Sequence, residues 1–185
     1  MERREATKLL QHHWNYFIAI EQDVSRLSRF IEFDERNYCA FSIEMARVLM
    51  ISSAEIDVIM KMYCKELCST SNPGNITDYQ AVIERESPDF FMSYVKMPRY
   101  GIESFIPWKS WKDAISPEWW KANNDVKHHR EEHFNKANLK NTLYSVVGLF
   151  ALLNCFMRVL EEKYQISIAY LEASHLFVYM GSRDP

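Results

Sequence analysis

The chain has 185 residues, 48% of them hydrophobic and 25% charged, with a net charge of −3. That balance describes one globular domain with a sizeable core, and it excludes a collagen-like chain or a global basic field for nucleic acid. Only 4 glycines and 6 prolines stand against 14% aromatics, so a β-sandwich is disfavoured and a ring-rich core or interface is expected.

The first element is a helix over HHWNYFIAIEQDVSRLSRFIEF, residues 12–33, where Phe17, Ile20, Val24, Leu27, Phe30 and Ile31 recur at helical spacing. The His12-His13 pair at its start reads as a surface feature. Residues 36–67 contain no Gly or Pro and are apolar almost all round, which predicts a long helix at the centre of a bundle. Glu44, Arg47 and Glu55 share one narrow sector of it. STSNPGN (69–75) is the clearest loop, and ITDYQAVIERES (76–87) predicts a short helix ended by Pro88.

Residues 88–111 lose helical periodicity and predict two short extended segments or a hairpin. Ser116-Pro117 is a helix start, with Ser as cap and Pro in the first turn. Helices are expected over 118–137 and 138–163, with a shorter one at 166–177. The run TLYSVVGLFALLNCFM (142–157) is uncharged but shorter than the about 20 residues of a membrane span, and Arg158 closes it. It therefore reads as a buried central helix, with no membrane partner. The expectation is an all-α fold: one domain over 1–185, a helical bundle of about five to six helices. A small extended or β-hairpin insertion lies near 90–111, within a non-helical stretch at 88–115.

Cys39, Cys64, Cys68 and Cys155 form no CxxC pair and no secretory signal precedes them, so free thiols and a cytoplasmic setting are expected. No Gly-rich phosphate loop and no G-x-S-x-G is present, and no cofactor is expected.

The chemistry concentrates in NNDVKHHREEHF (123–134). On one unbroken helix, Asn123, Lys127, Arg130 and His133 share the broad side of Trp119, Ala122, Val126, Phe134 and Ala137. Asn124, Asp125, His128, Glu131 and Glu132 point the other way. A cation on the core side needs partners, and Glu44 or Glu55 would pair Arg130 or Lys127. Two readings stand: a structural ion-pair network, or a polar cleft whose Arg and Lys face a phosphate. HREEH (129–133) also fits H-x-x-E-H, in which His129 and His133 would hold zinc and Glu132 act as base. No downstream residue is marked as a third ligand.

EWWKANNDVKHHREEHFNKANLKNTL (118–143) resembles the W-x-x-Y-N-x-x-K-H-x-R stretch of a set of small bacterial proteins. FIEFDERNYCAFSIEMARVLMISSAEIDVIMK (30–61) is similar to their first helical half, and MPRYGIESFIPWKSW (97–111) to their middle segment. Those proteins resemble the HEPN superfamily. The resemblance implies an all-α dimer, and either a metal-independent ribonuclease of stress or phage-defence systems or an inactive binding module. It implies an Arg and a His four to six residues apart on a late helix. Here Arg130 and His133 have only two residues between them, Asn123 takes the usual Tyr position and Asn124 the Asn.

The expected site is therefore Arg130, His128 and His133 for catalysis, Asn124 and Lys127 for binding, and Asn123, Glu44 and Glu55 in support. The expected partners are RNA or a nucleotide phosphate, a second copy of the chain, or a neighbouring protein. The alternatives are a non-catalytic helical interaction module and a zinc hydrolase.

Overall fold

The uncharged run becomes helix α6 (Leu139–Tyr164), on which α1 (Arg3–Leu27), α2 (Ile43–Leu67) and α4 (Glu118–His128) all pack. The computed structural model describes residues 1–182. Its described residues are 66% helical, with six helices and a small antiparallel sheet. The remaining helices are α3 (Ile76–Glu86) and the single turn α5 (Arg130–His133). An apolar 18-residue stretch of α6 is 78% buried by the protein's own elements, as a core helix requires. Side chains cap the principal helices: Ser42 accepts from the Met45 amide, Asn75 from Thr77 and Asp78, and Asn138 from Asn141.

Several boundaries differ from the sequence expectation. Helix α1 starts at Arg3 behind a Glu2/Glu5 capping box and ends at Leu27. Its last turn tightens into i→i+3 bonds from Arg29 and Phe30, which leaves Phe30 84% exposed rather than in the apolar stripe. Helix α2 begins at Ile43, not 36. Ser116 caps nothing: Pro117 itself occupies the cap position of α4, without a side-chain bond.

The expected hairpin is present. β1 (Ser93–Met97) and β2 (Ile102–Phe105) are antiparallel and turn at Gly101, whose φ of 66° favours glycine. A third strand, β3 (Val178–Ser182), pairs with the other edge of β1 and gives the order β2-β1-β3. The helix expected at 166–177 does not form. That segment is irregular, and several of its polar groups bond to α1. The buried Glu21 carboxylate accepts from the Ser174 hydroxyl and from the His175 and Leu176 amides at 3.1 and 3.0 Å. Trp14 Nε1 donates to the Glu172 carbonyl at 2.7 Å.

The four cysteines are unpaired thiols in contrasting environments. Burial pushes the Cys64 thiol up to about 12 and raises that of Cys155. Cys39 is exposed, and a hydrogen bond with Thr70 lowers the Cys68 thiol. A thiol-reactive label at neutral pH is expected to modify Cys39 and Cys68 in the folded protein, and Cys64 and Cys155 only after unfolding. Peptide mapping of the labelled protein checks this.

Candidate functional site: a polar cleft between α2 and α4

Helices α2 and α4 approach through small residues. Ala46 and Leu49 meet Ala122 and Val126, with Ala137 closing the cluster. The expected single helix over 118–137 does not form. It stops at His128, and His129, with φ −137° and ψ 48°, takes the chain out of the helical region. Lys136 Nζ then bonds Asp125 Oδ2 at 2.6 Å, folding the 134–136 turn back beside α4. That bond holds the Asp125 carboxyl below the usual carboxylate range.

The break leaves His128 at the end of α4 and places Arg130 and His133 on the single turn α5. Arg130 is exposed, with its guanidinium 3.6 Å from Met50 Sδ. It lines a separate apolar groove of about 660 Å³ with Ile43, Ala46, Arg47, Met50 and Phe134. His128 is exposed at the end of α4. His133 is half-buried, its ring 6.4 Å from that of His129. No group of three or more metal-ligating side chains is gathered among the described residues, so H-x-x-E-H finds no third ligand there.

The expected partners of Arg130 and Lys127 are also engaged elsewhere. Glu44 bonds Arg47 at 2.9 Å, and Arg47 reaches Asp23 of α1 at 2.9 Å. Glu55 bonds Nδ1 of His13 at 2.5 Å, and His13 is 6% exposed, so it is no surface feature. Glu55 and Arg47 tie α2 to α1, through His13 and Asp23, and Glu44 is held by Arg47 of its own helix.

What the structure does bring together is a cleft of about 520 Å³ lined by two facing stripes. Met50, Ser53, Ala54 and Asp57 come from α2. Trp120, Asn123, Asn124 and Lys127 come from α4. Both sets have the i, i+3, i+4, i+7 spacing of one helix face. Asn123 and Asn124 therefore share a wall, although successive residues lie 100° apart and the sequence reading put them on opposite sides. Asn124 and Lys127 are exposed at the cleft, and Lys127 has no ion-pair partner among the described residues. Asp57 accepts from the Tyr79 hydroxyl at 2.8 Å and from Lys61 at 2.5 Å.

Two polar atoms of this cleft are unusual. Ser53 is 1% and Asn123 8% exposed, yet Ser53 Oγ and Asn123 Oδ1 have no hydrogen-bond partner. Neither end of the Asn123 amide bonds to protein among the described residues. Buried polar groups are nearly always paired, and each orphan costs about 1–3 kcal/mol. A polar ligand seated between the helices would supply the missing partners.

Sequence reasoning named Asn123, Asn124 and Lys127 but missed Ser53, Asp57, Met50 and Trp120. The available signal was the polar stripe 120/123/124/127 and the Ser52-Ser53 pair inside an apolar helix. Ser52 bonds Ser145 of α6 at 2.8 Å, whereas Ser53 lines the cleft. Comparison with known proteins finds no matching family model, no matching curated protein and no matching solved structure. The molecule is a mostly helical bundle with a small three-stranded antiparallel sheet and a polar cleft between α2 and α4.

Proposed function

We propose that the protein is a helical module that binds RNA or a nucleotide phosphate in the α2–α4 cleft and does not cleave it. The carrying observation is the pair of unpartnered, buried polar atoms, Ser53 Oγ and Asn123 Oδ1, on two residues that line one cleft. Lys127 at the rim supplies the positive charge for a phosphate, and the half-buried Trp120 supplies an aromatic surface on which a base can stack. Metal-independent cleavage needs a proton acceptor and a cation within reach of one phosphate. Lys127 is a cation of the cleft, but the carboxylate there, Asp57, is held by Tyr79 and Lys61, no histidine lines the cleft, and Arg130 lies in the neighbouring groove. The reading takes the binding branch of the HEPN resemblance, and with it a cytoplasmic setting in bacterial stress or phage defence.

Fluorescence anisotropy with labelled single-stranded RNA tests this. Lys127→Ala is expected to weaken binding about tenfold and to reduce the salt slope by about one. Arg130→Ala is expected to stay within about twofold of wild type, and RNA incubated in EDTA to remain intact. Absence of binding by the wild-type protein defeats the proposal. EDTA-resistant cleavage that is lost in a folded Arg130→Ala protein installs the ribonuclease reading in its place.

A second reading is an interaction module that pairs with its own copy. It is favoured by the apolar groove beside the cleft, where Ile43 is 76% exposed, and by Phe41, 50% exposed and edge-on to the groove's Phe134. Ile43→Glu is then expected to convert a dimer into a monomer in sedimentation velocity. A monomeric wild-type protein at high concentration sinks this reading.

A further inference from the structure

We infer that the α2–α4 cleft is a seat for adenine, in which the Asn123 amide and the Ser53 hydroxyl read the base and Trp120 stacks on it. This rests on the nucleotide-binding reading above and adds the identity of the base.

Ser53 Oγ and Asn123 Oδ1 are both buried, and both can accept a hydrogen bond. The other polar group on the α2 stripe, the Asp57 carboxylate, already accepts from Tyr79 and Lys61 and offers no donor. A ligand complementary to this wall brings N–H donors and few carbonyl oxygens. The exocyclic N6 amine of adenine carries two N–H bonds, one for each orphaned oxygen, and adenine has no carbonyl. The Asn123 amide also has a free N–H end, which faces the ring-nitrogen acceptor beside N6. This two-point contact is the pairing by which Asn selects adenine. Guanine and uracil would set carbonyl oxygens against Asn123 Oδ1 and the Asp57 carboxylate, neither of which can donate. Cytosine shares the amine but carries a carbonyl and offers a smaller face to Trp120.

The spacing along α4 suits one nucleotide. Trp120 lies about one turn before Asn123 and Lys127 about one turn after it, about 4.5 and about 6 Å along the axis. Lys127 therefore stands at the rim where a phosphate attached to the seated nucleoside would emerge. The protein walls around the base are the indole of Trp120 and the thioether of Met50, both partly exposed to the cleft.

Isothermal titration of the full chain with adenosine, guanosine, cytidine and uridine 5′-monophosphates tests the inference. The adenosine nucleotide is expected to bind at least tenfold more tightly than the other three. Asn123→Ala is expected to remove that preference without lowering the melting temperature, because it deletes an unpaired group rather than a bond. Ser53→Ala provides a second, smaller change and is expected to weaken the adenosine nucleotide about threefold to tenfold. Lys127→Ala is expected to weaken all four by the same factor. Binding of the four nucleotides within threefold of one another, or a preference that survives in folded Asn123→Ala, overturns the adenine assignment. If RNA binding stays Lys127-dependent in that case, the proposed function stands without it. If neither nucleotides nor RNA bind, both fall.

Discussion

Replacing Trp108 by alanine is expected to remove about 3–5 kcal/mol of folding stability. Trp108 is fully buried, with Trp111 stacked at 4.8 Å, Trp119 edge-on at 5.0 Å and Phe90 at 5.2 Å between ring centroids. Its indole N–H donates to the Gly148 carbonyl of α6 at 3.2 Å. Gly148 is what admits the cluster to the helix. A Cβ there would lie 3.1 Å from Trp119 Cζ2 and 3.5 Å from Trp108 Cζ2. The indoles thus pack on bare helical backbone and clamp residues 106–119 to α6. Trp119 belongs to α4, so the same clamp sets where α4 begins and how its Trp120–Lys127 stripe meets α2. A domain of this size is stable by only about 5–15 kcal/mol, so the variant sits near the edge of folding. Urea unfolding followed by circular dichroism measures the loss. A change below about 1 kcal/mol would mean that the cluster does not clamp the insertion.

Glu21→Leu is expected to cost about 3 kcal/mol and to free the segment that leads into β3. The Glu21 carboxylate is 2% exposed and accepts from one hydroxyl and two backbone amides of residues 174–176. Leucine fills much of the volume but leaves those donors unpaired, each at about 1–3 kcal/mol. Glu21→Gln keeps an acceptor and is expected to cost about 1 kcal/mol. Hydrogen exchange separates a local from a global effect: β3 amides should lose protection in Glu21→Leu while α6 amides keep theirs. Unchanged protection of β3 would show that the strand pairing with β1 holds that segment without Glu21.

The bundle was legible where local pattern and burial agree. α2, α3 and α6 carry long or well-bounded apolar runs and side-chain caps at Ser42, Asn75 and Asn138, so each is specified within its own residues. The hairpin was legible because prolines and Gly101 interrupt short aromatic runs. The end of α4 was not. NNDVKHHREEHF has no Gly or Pro, and only the pull of Lys136 on Asp125 and the Phe41–Asn138 bridge require the chain to turn at His129. β3 was hidden for a related reason: the groups that organise 172–182 lie on α1 and β1, more than 80 residues away in the chain.

The sequence by itself determined the helical class, the buried central helix, the hairpin and the region that holds Asn123, Asn124 and Lys127. These follow from periodicities of 3.6 and 2, and from turn residues, which act over a few neighbours. Only the tertiary structure decided which polar groups meet. Glu55 turned toward His13 of α1, Glu44 paired with Arg47 of its own helix, Arg130 left the helix face, and Ser53 came opposite Asn123 with both unpaired. Such pairings depend on the rotation of one helix against another. A few tens of degrees decide whether a carboxylate meets an arginine or a histidine, and a single strand of sequence carries no local record of that angle.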